Sequence, residues 1–245
     1  MHFTRSRQGH LAGILGLLAL LGCGGGHSSG TAYVYMQWSV YDLGDTAMAY
    51  PLTCADVGAG DVVLTMVNQS TQATYTDTFH CASANYDGTS AYVPSGTYAI
   101  KVDLYGDPVV YGNSTTLLDE LTSTQALVSG SNPLGVIDFM VNSFVLGWSI
   151  SYGGVSTTCA AAGASWVELD VYFSGQTKAT AYFFPCDVTS YRAATTAIPM
   201  GSYSVQWQAY LQDAYYNDLT TGTQLMSYSV TSAAQADLGY AYFDF

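Results

Sequence analysis

The strongest constraint on this chain is that it repeats itself. Laid on itself so that Cys54 falls on Cys159, an offset of 105 residues, it matches without a gap from Cys54 to Tyr98. Cys81 then meets Cys186, Gly58 and Ala59 meet Gly163 and Ala164, Val62 and Leu64 meet Val167 and Leu169, and Phe79 meets Phe184. Further on, Tyr86 falls on Tyr191, and Pro94-Ser95-Gly96-Thr97-Tyr98 falls on Pro199-Met200-Gly201-Ser202-Tyr203. Leu134 and Gly135 match Leu238 and Gly239 at an offset one residue shorter, and Trp38 and Trp148 lead their copies, with a longer insertion after Trp38. A period of this length is that of a duplicated domain, not of a solenoid built from short units.

Within each copy the apolar residues recur with period two, the spacing of strands with one buried face. From Trp166 to Phe173, Val167, Leu169, Val171 and Phe173 alternate with Trp166, Glu168, Asp170 and Tyr172. The matching segment turns Val62, Leu64 and Met66 inward, although Val63 and Val67 blur its outer face. Tyr98, Ile100, Val102 and Leu104 alternate with Ala99, Lys101 and Asp103, mirrored by Tyr203, Val205, Trp207 and Ala209. Turn signals at Asp87-Gly88, Pro94-Ser95-Gly96, Asp107-Pro108, Gly112-Asn113, Ser131-Asn132-Pro133 and Gly153-Gly154 cut the chain into short strands, and no segment shows capped helical periodicity. The expected fold is all-β: two tandem antiparallel β-sandwiches, residues 32–142 and 143–245.

The N-terminus has a different character. Arg5 and Arg7 precede an apolar run from Leu11 to Leu21, shorter than the roughly 20 residues a spanning helix needs, which is the pattern of a signal peptide over residues 1–22. The run ends Leu20-Leu21-Gly22-Cys23, which resembles the lipobox of bacterial lipoproteins. That resemblance implies acylation of Cys23 as the mature N-terminus and membrane attachment through its lipid. Gly24, in place of aspartate, implies the outer membrane as destination. Residues 23–31, rich in Gly and Ser, read as a flexible tether.

A lipidated Cys23 also settles the cysteine count. Of five cysteines four remain, and the equal separations of Cys54 from Cys81 and of Cys159 from Cys186 suggest two equivalent disulfides, one per module. Such bridges persist outside the cytosol and suit domains of limited core size. Metal ligation by the four is the competing reading, disfavoured because no CxxC pair exists and only His27 and His80 follow the signal peptide. Without residues 1–22 the chain holds three basic residues, Lys101, Lys178 and Arg192, against 18 acidic ones, which excludes nucleic acid as a partner.

The Pro-X-Gly-X-Tyr turn leading into an alternating strand resembles transthyretin-like and carboxypeptidase-regulatory-like sandwich modules. The whole unit, with its leading Trp, Cys before Gly-Ala and Phe two residues before the second Cys, is similar to modules in surface lipoproteins of myxobacteria. This implies an immunoglobulin-like or prealbumin-like sandwich and an envelope location, not an activity.

Few residues offer chemistry. His80 beside Cys81 would point to the opposite strand face, which is unsuited to a nucleophile and its base. Glu168 and Asp170 share a face and could serve as an acid pair, although solvated surface carboxylates are the favoured account of them. Asp103 with Asp107, and Asp213 with Asp218, are candidate calcium ligands, since extracellular sandwiches often hold calcium in acidic turns; aspartate also favours turns for its own hydrogen bonding. Trp207, Tyr210, Tyr215 and Tyr216 gather about one hairpin, and Tyr210, Tyr215 and Tyr216 are candidates for sugar stacking if Trp207 points inward. No catalytic residue and no required cofactor is assigned. The expected function is that of a non-enzymatic cell-envelope surface lipoprotein acting as a binding, adhesive or structural module, with a glycan or a surface protein as partner and its membrane contact made through the lipid. The alternatives are a hydrolytic or accessory carbohydrate-active protein using acids of the second copy, and a self-assembling coat or fibre subunit.

Overall fold

The computed structural model describes residues 4–5, 30–44, 48, 50–232 and 234–244. Cys23, nearly all of the signal peptide and most of the tether lie outside them. The chain divides into two compact units, Met1–Tyr41 with Pro51–Met140, and Asp42–Tyr50 with Val141–Phe245.

In the first unit one sheet has the order β1-β8-β7-β3-β4, all antiparallel, built from β1 (Thr4–Arg5), β3 (Ala59–Asn68), β4 (Thr74–His80), β7 (Gly96–Gly106) and β8 (Leu117–Leu127). The other holds β2 (Thr31–Asp42), the short β5 (Asp87–Thr89) and β6 (Val93–Pro94), and the first part of β9 (Gly130–Tyr152). Between them lie Val34, Met36 and Trp38 from one side and Val62, Leu64, Met66, Tyr98, Ile100, Val102 and Leu104 from the other, all buried.

The second unit repeats the plan. One antiparallel sheet has the order β12-β11-β14-β15, from β11 (Trp166–Phe173), β12 (Thr180–Pro185), β14 (Tyr203–Gln212) and β15 (Met226–Val230). The other is formed by the end of β9 with β10 (Val155–Ser156), β13 (Arg192–Ile198) and β16 (Ala236–Asp244). Here the ladders are antiparallel except one: β16 runs parallel to β9, from Ala236 opposite Phe144 to Asp244 opposite Ser151, with a bulge between Asp237 and Gly239. Between the sheets Phe144, Leu146, Trp148, Val167, Leu169, Val171, Val205, Trp207, Ala209 and Leu211 form one core.

The residues shared by the two copies make the same contacts twice. Disulfides join Cys54 to Cys81 and Cys159 to Cys186. The indole Nε1 of Trp38 donates to the Cys81 carbonyl (3.0 Å) beside the Phe79 ring, and that of Trp148 donates to the Cys186 carbonyl (3.1 Å) with the Phe184 ring stacked on it. Thr53 and Thr158 hydroxyls each accept the backbone N–H three residues on, starting a single turn that is helical as α2 (Cys159–Ala162) in the second copy. Gly58 (φ 64°) and Gly163 (φ 70°) end it in the left-handed conformation, which costs glycine no Cβ clash. The Pro-X-Gly-X-Tyr signal has a physical basis as well: the Tyr98 hydroxyl donates back to the Pro94 carbonyl (2.7 Å) and Tyr203 to Pro199 (3.2 Å), closing the turn with the ring.

Two expectations need correction. The insertion after Trp38 does not stay with the first copy, because Asp42–Tyr50 groups with the second unit. There the Asp42 carboxylate accepts from the Ser143 hydroxyl and the Gln235 amide (both 2.9 Å), and the Leu43 N–H donates to the Val141 carbonyl. Asp103, placed by alternation on an outer face, is only 1% exposed. Lys101 covers it through an ion pair of 2.6 Å and reaches Glu120 at 3.4 Å, while the Tyr105 hydroxyl donates to it from the next position on the same face.

Candidate functional site

The two groups of residues read separately in the sequence, the Glu168 and Asp170 pair and the tyrosines after Trp207, come together on one surface. Strand β11 lies between β12 and β14, so its outward residues have a neighbour on each side. Trp166 stands opposite Pro185 and Gln212, Glu168 opposite Phe183 and Tyr210, Asp170 opposite Ala181 and Gln208. Directly opposed side chains in such ladders have Cβ atoms about 5 Å apart, close enough to form one continuous face.

The loop after β14 adds to this face. The Asp213 carboxylate accepts from the backbone N–H groups of Tyr215 (2.7 Å) and Asn217 (3.0 Å) and from the Asn217 side-chain amide, and these bonds hold its carboxyl below the usual range. The turn places Tyr216 at φ 64° and brings its ring parallel to the Trp166 indole, centroids 5.6 Å apart and planes 14° apart, with the Phe183 ring edge-on at 5.5 Å. Tyr216 remains 55% exposed and Tyr215 83%. Trp207 points inward and is buried, so the solvent-facing aromatic surface is made instead by Trp166, Phe183 and Tyr216.

Polar groups fill the space beside the rings. The Gln212 amide donates to Glu168 and to Asp218 (2.9 Å), and the Gln208 amide donates to the Tyr210 hydroxyl. Glu168 and Asp170, two apart on β11, share its outer face. Partial burial, then the charges of Asp170 and Asp218, push the Glu168 carboxyl above the ordinary range; Asp170 is raised by burial first and by Asp218 as well. The Tyr210 phenol is also raised, by burial and then by the charges of Asp170 and its neighbours.

A carboxyl with a raised folded-state pKa contributes stability that is fully present below its unfolded value of about 4.3 and is lost as pH rises through the folded value. Glu168→Gln is therefore expected to match the wild type in melting temperature near pH 4 and to exceed it increasingly toward neutral pH. Thermal unfolding of both proteins across that range checks this; a gap independent of pH would refute the raised Glu168 carboxyl.

The other sequence candidates have structural tasks. Asp107 caps the short helix α1 (Pro108–Tyr111) by accepting from the Val109 N–H (2.8 Å), Asp103 pairs with Lys101, and Asp213 and Asp218 bind the groups named above. Among the described residues no group of three or more His, Cys, Asp and Glu is disposed to hold a metal ion. His80 Nδ1 lies 2.8 Å from the Gly60 carbonyl, and the adjacent Cys81 is in a disulfide, so no thiol stands beside it.

Alternation places Trp166 and Glu168 on one outer face, and Tyr210 and Gln212 on the neighbouring one. The importance of Trp166, Phe183 and Gln212 emerges only with the register of β11 against both neighbours and with the folding of the 213–218 loop over them.

No protein-family model and no curated protein sequence matches the chain. Among solved structures it is similar to the Bacillus anthracis TIE protein (10% identity, TM-score 0.30), covering 88% of this chain and 33% of that one. It is also similar to a candidate adhesin from Bacteroides thetaiotaomicron (9%, TM-score 0.40, 87% and 92% covered) and to a fimbrial assembly protein from Parabacteroides distasonis (9%, TM-score 0.35, 87% and 90% covered). Among the described residues no helix is long and apolar enough to cross a membrane.

Proposed function

We propose that this chain is a non-enzymatic binding module of the bacterial cell envelope, anchored in the outer membrane by lipid on Cys23, and that it binds through the outer face of the β12-β11-β14-β15 sheet. One observation carries the reading. The two copies keep the same disulfide, Trp, Phe and turn contacts, yet only the second carries Trp166, Glu168, Asp170, Phe183 and Tyr216 on that face; the first has Asp61, Val63, Thr65 and Thr78 at the positions of the first four. A duplicated scaffold with one altered surface is the pattern of a framework and a binding face. Rigid aromatic rings beside polar groups are well suited to surface recognition, because they offer large contact area at low entropic cost.

Purified full-length protein is expected to be retained on arrayed envelope and host-surface glycans. Tyr216→Ala should lose about tenfold or more of that binding with its fold intact, as removal of a stacked ring predicts. Tyr92→Ala, which removes an exposed ring of the first unit, should bind as the wild type does. Equal binding by the Tyr216 variant would dismiss this face. Steady turnover of a glycan, ester or peptide by the purified protein, lost in Glu168→Gln, would favour the hydrolytic alternative.

A further inference from the structure

Apart from the face on the second unit, we infer that the first unit binds the side chain of a tyrosine presented by a basic polypeptide segment, in a groove on the outer face of its β2 sheet. The groove measures about 400 Å³ and is bordered by Gln37, Ser39, Leu52, Tyr86 and Val136, with Trp38 at its base. That size suits a ligand site, and every one of these residues belongs to the first unit.

The second copy shows what such a place accommodates. Gln37 and Gly147 each precede the leading Trp of their copy, Val136 and Tyr240 each follow a Leu-Gly pair, and Asp87 and Arg192 are related by the offset of 105 residues. In the second unit Gly147 on β9 stands between Arg192 on β13 and Tyr240 on β16. The Tyr240 ring lies so closely on Gly147 that a Cβ there would be 2.6 Å from it. Tyr242, opposite Ser149, sets a second ring beside the first, centroids 6.4 Å apart. That copy covers the row with its own tyrosines. In the first unit Val136 and Asp138 take the places of the two rings, and the row from Gln37 to Ser39 lies open as the groove. A ring brought by a partner meets the Leu52 and Tyr86 side chains there, and aromatic pairing adds to the area it buries.

Charge decides what carries the ring. Where the second copy has Arg192, the first has Asp87, directly opposite Gln37 in the ladder of β2 with β5. Asp138 adds a second carboxylate two residues after Val136. Among the described residues the basic residues of the first unit, Arg5, His80 and Lys101, all lie on strands of the opposite sheet. The Asp87 Oδ2 accepts from the Tyr35 hydroxyl (3.3 Å), and a carboxylate has capacity for further donors. An entering phenol hydroxyl is such a donor, and positively charged flanks complement the two carboxylates. A tyrosine between basic residues supplies the ring, the donor and the charge together.

The test is calorimetric titration of full-length protein with end-blocked Lys-Lys-Tyr-Lys-Lys, Lys-Lys-Leu-Lys-Lys and Glu-Glu-Tyr-Glu-Glu, and with p-cresol. The lysine-flanked tyrosine peptide is expected to bind about tenfold or more tightly than the leucine peptide, the scale of an aromatic anchor, and to weaken with added salt. The glutamate-flanked peptide should bind more weakly than its lysine-flanked counterpart. Gln37→Gly/Val136→Tyr copies the cover of the second unit over the groove and should abolish binding. Val136→Lys, at a position 54% exposed, keeps the test open should that pair lose its fold; it should weaken the lysine-flanked peptide about threefold, the scale of an exposed charge pair. Tyr216→Ala should change nothing here, so this groove and the face of the second unit stand or fall separately. Equal affinity for the tyrosine and leucine peptides, undiminished binding in both groove variants, or no binding of any peptide would overturn the inference. Indifference to the flanks would overturn the basic segment, and p-cresol binding as tightly as the peptide would replace the polypeptide by a small phenol.

Discussion

Replacing Cys159 and Cys186 together by alanine is expected to destabilise the second unit by about 3–4 kcal/mol, the stabilisation that the chain-entropy model assigns to closing a loop of this length. The pair is buried beside Trp148, whose indole reaches the Cys186 carbonyl and stacks on Phe184, so the packing around the bridge survives its removal and the loss should come mainly from the freed unfolded chain. Three of the four tryptophans, Trp148, Trp166 and Trp207, belong to the second unit, so urea unfolding followed by tryptophan fluorescence reports mostly on it. A loss below about 1 kcal/mol would show that native-state strain offsets the entropic gain.

The duplication sharpens this test. Cys54 with Cys81 spans the same separation of 27 residues and has the same neighbours, Trp38 and Phe79. Cys54→Ala/Cys81→Ala should therefore cost the first unit a similar amount, within about 1 kcal/mol, since identical loops constrain the unfolded chain identically. A large difference would mean that the copies differ in how their unfolded states behave, because their native contacts are alike.

The scaffold was legible because its signals are local or exact. Alternation in Val167, Leu169 and Val171, or in Tyr98, Ile100 and Val102, reports a buried face directly, since successive strand residues point to opposite sides. The equal cysteine separations and the Pro-X-Gly-X-Tyr turns needed only counting. What escaped was everything set by register or by a side chain's surroundings. The parallel pairing of β16 with β9 leaves no mark on period two, and Asp103 is buried because Lys101 and Tyr105 close over it.

The proposed binding face belongs to the same group. Trp166 and Tyr216 are brought into contact by a loop whose shape depends on the Asp213 carboxylate collecting two backbone N–H groups. Asp218 read as a turn aspartate and a calcium candidate; its position against Gln212 makes it a neighbour of Glu168 and Asp170 instead. The polarity of an isolated residue is visible in the sequence while its partners are not.

Cys23→Ser is expected to move the protein from the membrane fraction almost entirely into the soluble fraction. Each methylene buried in a bilayer contributes about 0.8 kcal/mol, a single myristoyl chain gives only reversible binding, and several chains on one cysteine hold a soluble domain permanently. Little else in the chain can substitute: with three basic residues beyond the signal peptide against 18 acidic ones, attraction to anionic lipid is disfavoured. Fractionation of cells producing each form, with and without high-salt washing, distinguishes lipid anchoring from electrostatic adhesion. Retention of Cys23→Ser on membranes after the wash would refute the anchor and transfer membrane attachment to the binding face itself. Soluble Cys23→Ser protein that keeps its glycan binding would separate the two roles, with the lipid deciding where the modules work and the sheet face deciding what they hold.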